Sequence, residues 1–331
     1  ESEKLKNLKC KDEKKYGSTN PTTISSPISP ISVNFHFTRR CNYECGFCFH
    51  TSKTSDIPKM SDSKLALKKL KNVGMRKMNF AGGEPFLYMK YLGELIEYCK
   101  KELKLESVSI VSNGSKITRS FLLKYKDYID ILAVSCDSFD DSTNVKIGRG
   151  KKGEHLKNLK NISTWCREFN IKFKINTVVN RYNWQEDMNS HIEDLKPFRW
   201  KCFQVLILEN ENGGDAGIDS NDKTLRDARD FVITDEQFQS FISRHQQQQC
   251  IVPEPNNIMK NSYLILDEHL CFLNCRDNKK IPSQSLLNVD VDVALQESGW
   301  DQDSFYRRSG VYDWSKNIDV CAQTNDKSLN W

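Results

Sequence analysis

Three cysteines stand in the run Cys41-Asn42-Tyr43-Glu44-Cys45-Gly46-Phe47-Cys48, a C-x3-C-x2-C spacing directly after the strand-like stretch 31–38. Thiolates this close together can share a soft metal site. Structural zinc takes a closed set of protein ligands, and only Cys41, Cys45 and Cys48 cluster here. A [4Fe-4S] cluster usually takes four thiolates, so three would leave one iron open to a small molecule. Two plainer readings stand beside this one: a zinc site completed by His50 or a distant residue, and buried free thiols.

Two further sets of residues could do chemistry. Phe80-Ala81-Gly82-Gly83-Glu84-Pro85 closes a predicted strand with two glycines, which let backbone approach a ligand, and a carboxylate that accepts hydrogen bonds from an ammonium group. The same residues also suit a tight strand-to-helix turn. Ser112-Asn113-Gly114-Ser115 and Ser135 end later strands with groups able to bind ribose hydroxyls. The other set is basic. Lys77, Lys174, Arg199 and Lys201 lie on or beside predicted strands, Lys174 shares a face with Asn176, and Arg149 is flanked by glycines. A lone lysine is ordinarily a solvated surface residue. Several converging inside a barrel repel one another unless an anion sits between them, so their ligand is expected to be polyanionic, and a triphosphate fits. No phosphate-cradling glycine loop is recognisable, which leaves recognition to side chains.

These residues need a frame. Residues 31–38 alternate Ile31, Val33, Phe35 and Phe37 with polar partners, giving a strand with one apolar face. Ser61 is expected to cap a helix carrying Ala66, Leu70 and Val73 and ended by Gly74. Strands are then expected at 77–81, 108–111, 131–135, 172–179 and 202–208, alternating with helices striped by Leu92, Leu95 and Ile96, by Phe121 and Tyr125, by Leu156 and Leu159, and by Trp184, Met188, Ile192 and Leu195. About six strand-helix units in series imply a parallel sheet with right-handed crossovers. The fold class is therefore α/β, a partial (β/α)6 barrel, and its chemistry belongs at the strand carboxyl ends. Three parts follow: a mobile arm at 1–30, the barrel at 31–208, and a C-terminal extension at 209–331 covering the barrel mouth. Within the extension, 209–230 reads as an exposed loop running into a short helix, and Thr234 with Gln237 as a capping box. Cys271 and Cys275 are too few for a second cluster.

The chain has 331 residues, 38% of them hydrophobic, and no apolar run long enough to span a bilayer. Its 12 cysteines, without a secretory signal in a large lysine-rich chain, point to a reducing compartment rather than a disulfide scaffold. A net charge of +5, from 49 basic and 44 acidic residues, is too balanced to mark a nucleic-acid binder.

With Phe47 before its last cysteine, the cysteine run resembles the radical S-adenosylmethionine (SAM) signature. The flanking Asn34-Phe35-His36-Phe37-Thr38 and Phe49-His50-Thr51 are similar to the viperin family, as are Cys136-Asp137-Ser138-Phe139-Asp140, Phe173-Lys174-Ile175-Asn176 and Ser262-Tyr263-Leu264-Ile265-Leu266-Asp267. The resemblance covers about residues 31–320 and implies a radical SAM barrel in which Cys41, Cys45 and Cys48 ligate a [4Fe-4S] cluster. SAM would sit on the open iron, in contact with Phe47, Gly82, Gly83, Glu84, Ser112, Asn113 and Ser135. Asn34, Lys77, Arg149, Lys174, Asn176, Arg199, Lys201 and Lys280 would bind a nucleoside triphosphate, with Tyr263 as a catalytic residue. The implied reaction takes hydrogen from C4′ of a pyrimidine nucleoside triphosphate, CTP or UTP, and loses the 3′-hydroxyl. The product is the 3′-deoxy-3′,4′-didehydro nucleotide, an antiviral chain terminator. The resemblance further implies an electron-donor protein and docking of cytosolic iron-sulfur assembly machinery on Trp331, with no nucleic acid. A cytoplasmic location is expected, at a membrane surface if residues precede Glu1, although the amphipathic helix of animal members is not recognisable before residue 31. A different radical SAM reaction is the rival enzyme reading. A zinc-stabilised nucleotide- or RNA-binding module is the rival from another class, and labile sulfide separates the two.

Overall fold

A computed structural model describes residues 29–150, 153–209, 211–213, 224–259, 261–276 and 278–316. The expected arm, apart from its last two residues, and the terminal Trp331 lie outside them. The first half is strand-helix alternation: β1 (Ser32–His36), α1 (Met60–Asn72), β2 (Lys77–Ala81), α2 (Met89–Glu97), β3 (Ser107–Ser112), α3 (Arg119–Tyr125), β4 (Ile131–Ser135), α4 (Asp141–Ile147), α5 (His155–Glu168), β5 (Lys172–Val179), α6 (Asn189–Leu195) and β6 (Arg199–Gln204). There follow α7 (Asp235–Arg244), β7 (Ile251–Glu254), α8 (Asn256–Met259), β8 (Ile265–Leu266), β9 (Cys271–Asn274), β10 (Ile281–Ser285), α9 (Val291–Glu297) and α10 (Gln302–Arg307).

The ten strands form one sheet in the order β10-β9-β8-β1-β2-β3-β4-β5-β6-β7. From β8 to β7 every pairing is parallel, and β9 and β10 are antiparallel. The six expected units are there as a partial barrel. What period-two reading did not supply is that the C-terminal segment lengthens the sheet at both ends, β7 beside β6 and β8 beside β1. These strands are only four and two residues long, too short to show a period.

Burial explains the choice of face. In β5 the apolar Phe173, Ile175 and Val179 are buried against the helices, while Lys174 and Asn176 alternate inward. The helices return Leu67, Leu70, Leu92, Leu95, Leu122, Leu159 and Ile192 to the same core. The Thr234–Gln237 capping box is present at the start of α7. Ser61 does not cap α1, because the helix starts at Met60, two residues earlier than a Ser61 cap requires, and the cap position is Lys59. Trp184 and Met188 precede α6 rather than striping it. The described part of the acidic loop is not wholly exposed, since Glu211 and Asn212 are buried.

Candidate active site

Side chains from the barrel interior and the carboxyl-end loops surround one cavity of about 340 Å³. Lining it are Cys41, Cys45 and Cys48; Phe47, Gly82, Gly83, Ser112, Asn113 and Ser135; and Asn34, Lys77, Arg149, Lys174, Asn176, Lys201 and Tyr263. Three expected site residues, Glu84, Arg199 and Lys280, are not on its surface.

At one end the cysteine loop is held by backbone. The Glu44 N–H donates to the Gly148 carbonyl and the Gly46 N–H to the Ile147 carbonyl, both at 3.0 Å. Gly148, which ends α4, has φ 92°, and a Cβ there would lie 2.3 Å from the Glu44 carbonyl oxygen. Donors already face sulfur: the Tyr43 N–H lies 3.4 Å and Asn113 Nδ2 3.8 Å from Cys41 Sγ. Burial pushes the Cys41 thiol up to about 11 and the Cys45 thiol up to about 12, a cost that a cationic metal centre would remove. Among the described residues no three His, Cys, Asp or Glu side chains converge on a single ion. His50 Nδ1 lies 2.6 Å from Lys280 Nζ. Three thiols around a shared hollow fit a cluster in which each serves a different iron. Arg149, expected among the phosphate cations, lies at this end: its Nε donates to Asp137 Oδ2 at 2.5 Å, and its charge acts on the Cys45 thiol.

The Gly82-Gly83-Glu84 turn is laced to that loop. The Gly83 N–H donates to the Thr38 carbonyl and the Glu84 N–H to the Arg40 carbonyl, and a Cβ on Gly83 would lie 2.1 Å from the Arg40 carbonyl oxygen. Glu84 stands behind the wall. It accepts from the Ser112 hydroxyl at 2.8 Å and from the Asn113 N–H at 2.7 Å, and burial lifts its carboxyl to about 7. Phe47 packs edge-on against Phe231, and its carbonyl accepts from Asn212 Nδ2 at 2.9 Å. Lys280 is buried in a network with Glu211, His50 and the Phe49 carbonyl, joined by Arg39 through Glu211. Its place is beside the cysteine loop, not among the other lysines.

The far end is cationic. Lys174 has no hydrogen bond or ion pair among the described residues. Burial, then Lys201, Lys77 and Arg199, push its ammonium well below the usual lysine range. Burial likewise lowers Lys201 to about 7, although it pairs with Glu254 and donates to the Tyr263 hydroxyl at 2.8 Å. Arg199 shares a face of β6 with Lys201 but lies off the cavity surface, with its guanidinium 4.2 Å from the centre of the Tyr312 ring. Among the described residues, Asn176 Oδ1, Arg199 Nε and Arg308 Nε are buried with no hydrogen-bond partner, the condition of groups that await a ligand.

Sequence reasoning missed several cavity groups. Asn79 and Ser109 extend Asn34 into a chain, in which Ser109 Oγ donates to Asn79 Oδ1 at 2.8 Å and Asn79 Nδ2 to Asn34 Oδ1 at 2.7 Å. The alternation of Lys77, Asn79 and Ala81 on β2 could have found the first of them. Arg308 and Tyr312 come from an irregular segment after α10 that carries no periodic signal. Tyr312 accepts from Lys77 Nζ at 3.0 Å, and the Arg308 guanidinium lies 3.9 Å from the Tyr263 ring centre.

Residues 35–195 match the Radical SAM superfamily. The chain is 53% identical, over 92% of its length and 82% of the relative's, to the S-adenosylmethionine-dependent nucleotide dehydratase RSAD2 of Danio rerio. It is 34% identical, over 86% of its length and 96% of the relative's, to the S-adenosylmethionine-dependent nucleotide dehydratase of Flammeovirga pacifica. Its fold is similar to that of Streptococcus suis SuiB bound to S-adenosylmethionine, with a TM-score of 0.57 at 16% identity over 85% of this chain and 68% of that one. The cavity therefore belongs to a radical SAM barrel, and the chain belongs to the family of S-adenosylmethionine-dependent nucleotide dehydratases, the viperins.

Proposed function

We propose that this radical SAM nucleotide dehydratase converts a pyrimidine nucleoside triphosphate, CTP or UTP, to its 3′-deoxy-3′,4′-didehydro analogue, an antiviral chain terminator. Cys41, Cys45 and Cys48 would hold a [4Fe-4S] cluster, with Phe47, Gly82, Gly83, Ser112, Asn113 and Ser135 around its bound SAM. The cluster and SAM together supply, on one-electron reduction, a radical able to take hydrogen from an unactivated carbon. The chain's own part is binding, orientation and proton placement.

The observation that carries this reading is Lys174, a buried amine with no hydrogen bond or ion pair among the described residues and with three other cations acting on it. Such a group is costly to bury, and a polyphosphate repays the cost by pairing with several cations at once. Lys77, Lys174 and Lys201 would take the phosphates, with Arg199 adding its charge from off the cavity surface, and the Asn34–Asn79–Ser109 chain and Asn176 would face the nucleoside. Tyr263, held by Lys201, stands between these groups as the residue placed for a proton at the sugar. Glu84 acts behind the SAM wall by fixing Ser112 and Asn113, and Lys280 by bracing the cysteine loop. The test is equilibrium binding of CTP, CDP and cytidine. Affinity should fall stepwise as phosphates are removed, and equal affinity for all three would remove the triphosphate reading.

The same reading includes an electron-donor protein, docking of cytosolic iron-sulfur assembly machinery on Trp331, and a cytoplasmic site of action. Among the described residues no helix is long and apolar enough to cross a membrane.

A further inference from the structure

The barrel has an open seam. β7 ends at Glu254 and β8 begins at Ile265, and the two strands share no ladder. Side chains span the seam instead. Glu254, fully buried at the end of β7, pairs with Lys201 from β6, and its Oε1 lies 3.7 Å from Arg308. Lys201 Nζ also donates to the hydroxyl of Tyr263, two residues before β8.

A carboxylate is an adverse neighbour for a polyanion. Placed among cations that await a triphosphate, it competes for two of them and repels the ligand. Its other oxygen, Oε2, is buried and among the described residues has no hydrogen-bond partner within bonding distance. Both features weigh against a role in affinity and direct attention to geometry. An ammonium has three N–H donors. Glu254 and Tyr263 take two of those on Lys201, which lines the cavity, and among the described residues the third has no hydrogen-bond acceptor. Tyr263 accepts from Lys201, and its own O–H lies within reach of the Glu254 carboxylate, so Glu254 holds both the ammonium and the phenol.

We propose that Glu254 is a positioning residue for turnover, which aims the free N–H of Lys201 and the Tyr263 hydroxyl at the nucleotide across the open seam of the barrel. This rests on the nucleotide reading above. It gives up part of the affinity for the triphosphate in return for a defined orientation of the sugar toward the SAM-derived radical. The groups facing Glu254 are Lys201, Arg308 and Tyr263, with Arg199 acting on Lys201 and Tyr263.

Glu254→Gln tests it in the reconstituted, reduced enzyme, because the amide keeps the volume and one acceptor oxygen but loses the charge. Two readouts matter: nucleotide affinity, and the amount of dehydrated nucleotide formed per 5′-deoxyadenosine released. Nucleotide binding should tighten by about threefold as the repulsion is removed, while coupling falls by about tenfold as the aim is lost. SAM affinity and the electron paramagnetic resonance signal of the cluster should not change. A merely structural carboxylate would not give tighter binding with poorer coupling. Wild-type coupling in the variant would overturn the proposal, as would a joint fall in thermal midpoint, SAM affinity and nucleotide affinity. Glu254→Asp keeps the charge on a shorter arm, so it should restore wild-type affinity without restoring coupling; full coupling there would also overturn it. If the wild type binds no nucleotide, the underlying reading fails with it, whereas normal wild-type turnover beside a fully coupled variant removes this proposal alone.

Discussion

Lys174 and Lys201 are the residues on which the account of the substrate turns. Replacing either with alanine should weaken nucleoside triphosphate binding by about 10- to 100-fold, the worth of one charge-assisted hydrogen bond to phosphate, and leave SAM affinity unchanged. Titration calorimetry with each ligand separates the outcomes, and equal weakening of both would make these lysines supports of the barrel. A pH dependence follows with a definite sign. In the free protein burial lowers the Lys201 ammonium to about 7, so above neutrality it is partly neutral, and burial pushes Lys174 in the same direction. A bound triphosphate favours their charged forms and raises both values. Binding should therefore take up protons near pH 7.5, and affinity should fall as the pH rises through neutrality. Calorimetry in buffers of different ionisation enthalpy reads the uptake directly, and zero uptake would mean that the phosphates lie elsewhere.

At the scale of elements, the cysteine loop depends on α4 as much as on its own sequence. The glycine that ends α4, Gly148, has φ 92° and no room for a Cβ against Glu44. Gly148→Ala should cost about 1–3 kcal/mol locally, lower the iron bound after reconstitution, and change the global thermal midpoint less than it changes iron content. Full iron loading would show that the clamp is dispensable. The same region shows what was legible in the sequence. The strand at 172–179 stood out because it alternates buried and half-buried residues along its whole length, and 131–135 because it is a short apolar run. The cysteines, Gly82-Gly83 and the lysines could be chosen because their residue types are unusual where they stand. Glu254 and Asn212 could not, since their roles come from contacts with Lys201 and Phe47 made far away in sequence. Arg149 and Lys280 were chosen as cations, but which anion or sulfur each would meet depended on loops whose paths carry no period. Ser61 looked like a cap because the sequence around it offers several adjacent starts for one helix, and packing selected the earlier one.

Over the whole molecule, the segment after α10 joins elements that the six-unit barrel leaves open. Trp314 is buried, the Ser107 hydroxyl donates to its carbonyl at 3.0 Å, and Lys172 donates to Asp313. Trp314→Ala should cost about 3–5 kcal/mol of stability by loss of a buried aromatic, read as a shift of the denaturant midpoint. A surface-like effect would mean the segment is only lightly attached. Trp331 lies outside the described residues, and the docking proposal ties it to assembly rather than catalysis. Deleting it should lower iron content in protein made in cells, yet leave activity near normal after chemical reconstitution. Unchanged cellular iron would remove the docking role.

The central claim is that one cavity brings a radical-generating cofactor to the sugar of a pyrimidine nucleoside triphosphate. Its most direct test is mass spectrometry of the products when reconstituted, reduced protein is incubated with SAM and an equimolar mixture of the four ribonucleoside triphosphates. The expected result is 5′-deoxyadenosine together with a CTP or UTP product lighter by one water and lacking the 3′-hydroxyl, both absent in Cys45→Ala. Release of 5′-deoxyadenosine that leaves all four triphosphates intact, or dehydration that persists in Cys45→Ala, would contradict it.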